Sequence, residues 1–184
     1  MENNTTVTSP RMYTIILHLY LLLHSLLVSV NEAKVEMIDS GFKFVEGNAC
    51  AKGAELSKGS FATDEHLENL FIFHRDDFDI IGRPWVTQCE LILQEKASCL
   101  PVACLAAEPG SLALDAFAAP ANKTSQLAAS IGTNGKLIAF EKDAKRFETL
   151  SERTQTAVPA VLESSFVAIK TFCRSIQLFQ NFRT

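Results

Sequence analysis

A chain of 184 residues that is 47% hydrophobic and 21% charged is long enough for one domain with a substantial core, and too apolar to remain disordered. Its 17 basic and 21 acidic side chains leave a net charge of −4, so no global positive field attracts RNA and any such contact must come from a local patch. Five cysteines (Cys50, Cys89, Cys99, Cys104 and Cys173), an odd number without Cys-x-x-Cys spacing, argue against a structural zinc site and a complete disulfide framework; reduced, mostly buried thiols are expected.

Residues 1–10 are polar and expected to be disordered. Residues 13–30 carry no formal charge and are rich in leucine and isoleucine, a length at the lower limit for a membrane span, with small residues near Ser29 that suit signal-peptide cleavage. Tyr13, His18, Tyr20 and His24 interrupt the run. Three readings stay open there: a membrane or export segment, a buried core helix, or an artefactual gene start. A helix is expected over residues 31–40, with Ala33, Val35, Met37 and Ile38 apolar; residues 41–59 read as loop, and Leu70-Phe71-Ile72-Phe73 as a short buried strand. No period suggests a repeat array.

From Glu90 onward the pattern alternates strand and helix. Leu91-Ile92-Leu93 is extended, Ser98 is the expected N-cap of a helix running toward Ala107 with Pro101 in its first turn, and Glu108-Pro109-Gly110 breaks it. Leu112-Ala113-Leu114 then forms a strand ending in Asp115, small residues turn the chain, and a helix over residues 122–130 directs Leu127 and Ile131 at the sheet. The turn Gly132-Thr133-Asn134-Gly135 leads to a second apolar run, Lys136-Leu137-Ile138-Ala139-Phe140, which ends in Glu141. Asp143 caps the next helix, with Phe147 and Leu150 on one face, and residues 158–162 supply a third strand with Pro159 at its start or edge. A strand that ends in a carboxylate and turns through small residues into a helix lets the backbone approach a ligand and offers it helix N-terminal amides. Glu141 follows at roughly the 20-residue distance at which doubly wound folds place a ribose-binding acid.

Three segments carry a resemblance: Leu91-Ile92-Leu93-Gln94-Glu95-Lys96-Ala97-Ser98-Cys99-Leu100-Pro101, Asp115-Ala116-Phe117-Ala118-Ala119-Pro120-Ala121-Asn122-Lys123-Thr124 and Ala139-Phe140-Glu141-Lys142-Asp143-Ala144-Lys145-Arg146. In this order they resemble the NOP2/Sun-type RNA cytosine-5 methyltransferases, in particular the branch acting on ribosomal RNA. The resemblance is strong from Leu91 to Arg146, weaker from Leu70 and toward Ile169, and not visible before Asn31 or after Thr171. It implies an α/β chain holding a partial Rossmann-like S-adenosylmethionine-dependent methyltransferase domain behind a divergent N-terminal region. The expected division is a divergent segment (1–30), an abbreviated N-terminal subdomain (31–83), a partial cofactor-binding methyltransferase domain (84–170) and a divergent tail (171–184).

Carried over position by position, the family's S-adenosyl-L-methionine site falls on Phe117, Ala118, Ala119, Pro120, Ala121, Asn122, Lys123 and Glu141, with the cofactor's amino-acid end near the first loop and its ribose on Glu141. A carboxylate suits ribose because it accepts two charge-assisted hydroxyl bonds. Asp115 either orients the loop or helps receive the cofactor. Lys123 is open between neutralising a carboxylate or RNA phosphate and being solvated. Gln94, Glu95, Lys96 and Ser98 are expected to be structural, and Lys142, Lys145 and Arg146 to form an exposed helix face. Two positions depart from the family: Phe117 replaces a non-catalytic cysteine, and Ala121 replaces a glycine at the closest approach to the cofactor, where a positive φ would make the added Cβ costly.

The family methylates C5 of cytosine by attacking C6 with a cysteine thiolate, and needs Asp-Pro-x-Cys and Thr-Cys motifs for it. Neither occurs; Thr171-Phe172-Cys173 is a superficial match to the second. A fragmentary family member is therefore expected, with no catalytic residue of its own, RNA (by lineage rRNA) as partner and an intracellular, nuclear or nucleolar place. The rivals are a non-catalytic cofactor- or RNA-binding assembly protein, and an exported or membrane-anchored drifted domain.

Overall fold

The computed structural model describes residues 18–46 and 56–157. Its first layer is a five-stranded sheet built from β1 (Leu19–Leu23), β2 (Lys43–Phe44), β3 (Ser60–Thr63), β4 (Leu70–Phe73) and β5 (Leu91–Leu93), in the order β2-β3-β4-β1-β5. β1 pairs antiparallel with β4 (Leu21 opposite Phe71) and with β5 (Leu22 opposite Ile92). Leu21, Leu22 and Leu23 are all buried, as expected of a strand covered on both faces.

This corrects the reading of residues 13–30 as a helix: the described part is a central strand followed by a turn. Ser29 is the N-cap of α1 (Val30–Asp39), where its hydroxyl accepts the Glu32 amide and Glu32 Oε2 accepts the Ser29 amide at 3.0 Å. Among the described residues, no helix is long and apolar enough to cross a membrane. α1 forms where expected and buries Ala33 and Met37, but Val35 and Ile38 face solvent.

The sheet's inner face is aromatic. Phe73 stacks on Phe61 at 5.4 Å between centroids and on Trp85 at 6.3 Å, and meets the edge of Phe42 at 5.4 Å. Trp85 comes from a one-turn helix, α2 (Pro84–Thr87), that follows a 3₁₀ turn over Phe78–Gly82.

His24 ends β1 with its amide on the Glu90 carbonyl at 2.8 Å, while both ring nitrogens are buried without a hydrogen-bond partner among the described residues. Burial holds its pKa below the ordinary histidine value, against a smaller upward pull from its own backbone. The folded chain thus takes up that proton later than the unfolded chain, so the stability tied to neutral His24 is complete above about pH 6.5 and is lost as pH falls below it. His24→Leu is expected to flatten the fall in urea midpoint between pH 7 and pH 5. An unchanged slope would show that other groups set it.

The second layer begins with α3 (Lys96–Leu105), continues through β6 (Leu112–Asp115), α4 (Asn122–Ile131) and β7 (Lys136–Ala139), and closes with α5 (Ala144–Ala157). α3 corrects two expectations. Its N-cap position is Glu95, whose carbonyl accepts the Ser98 and Cys99 amides, so Ser98 already lies inside the helix; Pro101 is interior rather than in the first turn. β6 and β7 pair in parallel, with Ala113 opposite Leu137. α4 lays Leu127, Ala128 and Ile131 on Ala113, Leu137 and Val102, as its spacing requires. Gly135 permits this closeness, because a Cβ there would meet Ile131 Cγ1 at 2.6 Å. Phe147 and Leu150 of α5 pack together against the β6–α4 turn. The strand expected over 158–162 lies outside the described residues, as do Cys50 and Cys173. Cys99 is buried, whereas Cys89 is half-buried and Cys104 exposed.

Candidate cofactor site at the ends of the parallel strands

Asp115 closes β6 and organises the turn behind it. Its Oδ1 accepts the Phe117 amide at 3.1 Å, and its Oδ2 lies 2.8 Å from the Thr124 hydroxyl, which is also 3.1 Å from the Ala118 carbonyl. Asp115 therefore orients the loop. The Ala118 amide bonds the Phe140 carbonyl at 3.0 Å and the Phe140 amide bonds the Asp115 carbonyl at 2.8 Å, tying the turn to the end of β7.

Ala121 turns the chain into α4 with φ 90° and ψ −5°. That left-handed conformation suits the glycine found at this position in the resembled family and costs alanine about 1 kcal/mol or more. Ala118, Ala119 and Ala121 point inward, buried with Ala139 and Leu150. Among the expected site residues the turn thus offers a ligand its backbone, while Phe117 (80% exposed), Pro120 and Lys123 face outward and Asn122 is half-buried.

Glu141 is buried at the end of β7. Its Oε1 accepts the Asp143 amide at 3.1 Å, and its Oε2 is 3.7 Å from Arg146 Nη2. Asp143 in turn caps α5 through the Arg146 amide at 2.9 Å. Lys142, Lys145 and Arg146 are exposed, as expected, and the Arg146 guanidinium in addition donates to the Ala119 carbonyl at 2.6 Å. Arg153, seven residues on and so on the same face of α5, donates to Asn122 Oδ1 at 2.9 Å. Two arginines thereby hold the carbonyl side of the turn, and their spacing was the available sequence signal.

The loop also meets the first sheet. Asn122 Nδ2 donates to the Leu93 carbonyl at 2.9 Å, and buried Gln94 donates through Nε2 to Gln126 Oε1 at 2.9 Å. Cys99 is buried beside them, and burial above all pushes its thiol up to about 11, away from the thiolate.

An acid at the end of each parallel strand, a small-residue turn and a crossing helix define the opening half of a Rossmann-like methyltransferase fold. A solved methyltransferase homologue from Pyrococcus horikoshii superposes with a TM-score of 0.69 at 22% identity, covering 89% of this chain and 47% of that one. Over the matched stretch the chain belongs to the Sun-type RNA cytosine-5 methyltransferases, as its motifs imply. It is 37% identical over 133 residues to the mouse 28S rRNA (cytosine-C(5))-methyltransferase, 70% of this chain and 28% of that protein. Against the Caenorhabditis elegans 26S rRNA (cytosine-C(5))-methyltransferase nsun-5 it is 40% identical over 111 residues, 60% of this chain and 24% of the other. The chain spans about a quarter of the length of these curated relatives. No protein-family profile matches it.

Proposed function

We propose that this chain carries the S-adenosylmethionine-binding part of an rRNA cytosine-5 methyltransferase, with rRNA as the substrate class and the nucleus or nucleolus as its place. The observation that carries the reading is the turn at Ala118–Ala119–Pro120–Ala121, held by Asp115, Thr124 and Arg146 so that it leads directly into α4. The donor set fits the cofactor. The first amides of α4, which have no acceptor within the helix, suit a carboxylate, and Glu141 suits ribose hydroxyls. When bound, the cofactor would supply an electrophilic methyl group; Phe117, Pro120, Asn122 and Lys123 would line it and Glu141 would anchor it. The partial methyltransferase domain over 84–170 is part of the proposal, with β5 lent to the neighbouring sheet.

Calorimetric titration of the full chain with S-adenosylmethionine is expected to show a single site for which the demethylated product competes; no heat at millimolar cofactor would sink the reading. Ala121→Gly is the informative variant. Relief of the left-handed strain, about 1 kcal/mol, is offset by the buried methyl lost, about 0.8 kcal/mol, so stability should hardly move. Because the Ala121 methyl packs inward with Ala139 and Leu150, binding should stay within about twofold of the parent, and a larger gain would place the Cβ against the ligand instead of the core.

A further inference from the structure

We infer that Gln94 reads the exocyclic amino group of an RNA cytosine, accepting its hydrogen bond through Oε1; the inference rests on the RNA cytosine-5 methyltransferase reading above. Gln94 lines a cleft of about 360 Å³ whose other walls include Tyr20, Ser98, Pro120, Asn122 and Lys123. The volume suits a nucleoside-sized ligand. The Gln94 side chain is 3% exposed, and its Oε1 has no hydrogen-bond partner among the described residues.

The polarity of that amide is fixed by its neighbours. Gln126 Nε2 donates to the Cys99 carbonyl at 3.1 Å, which can only accept. Gln126 Oε1 must then accept, so Gln94 presents Nε2 to it at 2.9 Å and keeps Oε1 as the spare acceptor. A buried acceptor without a partner is costly, and a ligand that brings a donor removes the cost. Asn122 already uses an N–H on Leu93 and a lone pair on Arg153, so its oxygen, unlike Gln94 Oε1, is not left without a partner. Lys123 adds donors at the same rim, suited to the O2 and N3 acceptors beside the amino group of cytosine.

Cytosine carries a donor at N4 where uracil carries an acceptor at O4, so uracil would set two acceptors against each other. The adenine of the cofactor also has an amino group, and Pro120, Asn122 and Lys123 are shared with the proposed cofactor lining; Glu141, the proposed ribose anchor, does not line this cleft, so adenosine is the competing ligand that the test must separate.

The test uses the full 184-residue chain, titrated with cytidine, uridine and adenosine and followed by amide chemical shifts, with S-adenosylmethionine titrated in parallel. Cytidine is expected to bind about tenfold more tightly than uridine, because a site built around a hydrogen bond rejects the analogue that cannot make it. Gln94→Met should abolish the preference. Gln126→Met, which frees the Gln94 amide to rotate, should reduce it to about twofold, and serves if Gln94→Met does not fold. Equal affinities for the two pyrimidine nucleosides, no binding of either, a preference that survives both substitutions, or adenosine depending on Gln94 as strongly as cytidine would each overturn the inference. Cofactor binding that persists in those cases leaves the function reading standing; loss of cofactor binding in the unsubstituted chain removes that reading instead.

Discussion

Phe73→Ala is expected to cost about 3–5 kcal/mol of folding stability, the range for emptying a fully buried phenylalanine site. Phe73 has no exposed surface, and its ring touches three others contributed by separate segments: Phe42 after α1, Phe61 on β3 and Trp85 on α2. No single neighbour can move into the space without leaving its own strand or turn, so the cavity persists instead of collapsing. Against a total of about 5–15 kcal/mol for an ordinary domain, the loss removes a large share of stability. Thermal and urea unfolding followed by circular dichroism would show a midpoint lowered by about 6–20 °C, or no cooperative transition at all. Phe78→Ala, at a ring 62% exposed, is the control and should stay within about 0.5 kcal/mol of the parent. A Phe73→Ala loss below about 1 kcal/mol would mean that the aromatic cluster is not the packed centre of the sheet.

The parallel half of the fold was legible because local and tertiary signals agree there. β6 and β7 are short apolar runs closed by acids, α4 has an apolar stripe, and glycine and proline mark the breaks. The left-handed φ at Ala121 was legible through the glycine expected at that position. β1 was not, since a leucine-rich apolar run fits a helix as well as a doubly covered strand. What decides between them is β4 and β5 on either side, which no local window contains. Ser98 looked like a cap by residue type, but the chain enters α3 at Glu95 without any side-chain cap. The pairing of Gln94 with Gln126 spans 32 residues and two layers, and periodicity carries no trace of it. The exposed face of Arg146 was legible, but its bond to Ala119 was not, because only the tertiary position of the 118–121 turn gives the guanidinium a carbonyl to hold.

Glu141→Gln is expected to weaken S-adenosylmethionine binding by about 10- to 150-fold, the equivalent of about 1.5–3 kcal/mol for hydrogen bonds to a charged acceptor. The carboxylate has capacity to spare. One oxygen accepts the Asp143 amide, and the other stands 3.7 Å from Arg146, longer than a good charge-assisted bond, so most of its roughly four lone-pair sites remain for hydroxyls. Glutamine keeps the size, the burial and an acceptor for the Asp143 amide, so the fold should survive and the loss should appear in binding. Because the ribose is common to the cofactor, its demethylated product and adenosine, all three should weaken by a similar factor in calorimetric titrations. An adenosine analogue lacking both ribose hydroxyls should bind the parent and the variant alike. Equal affinity of parent and variant for the cofactor would remove Glu141 from the site, and a loss confined to the cofactor but not to adenosine would move it to the amino-acid end.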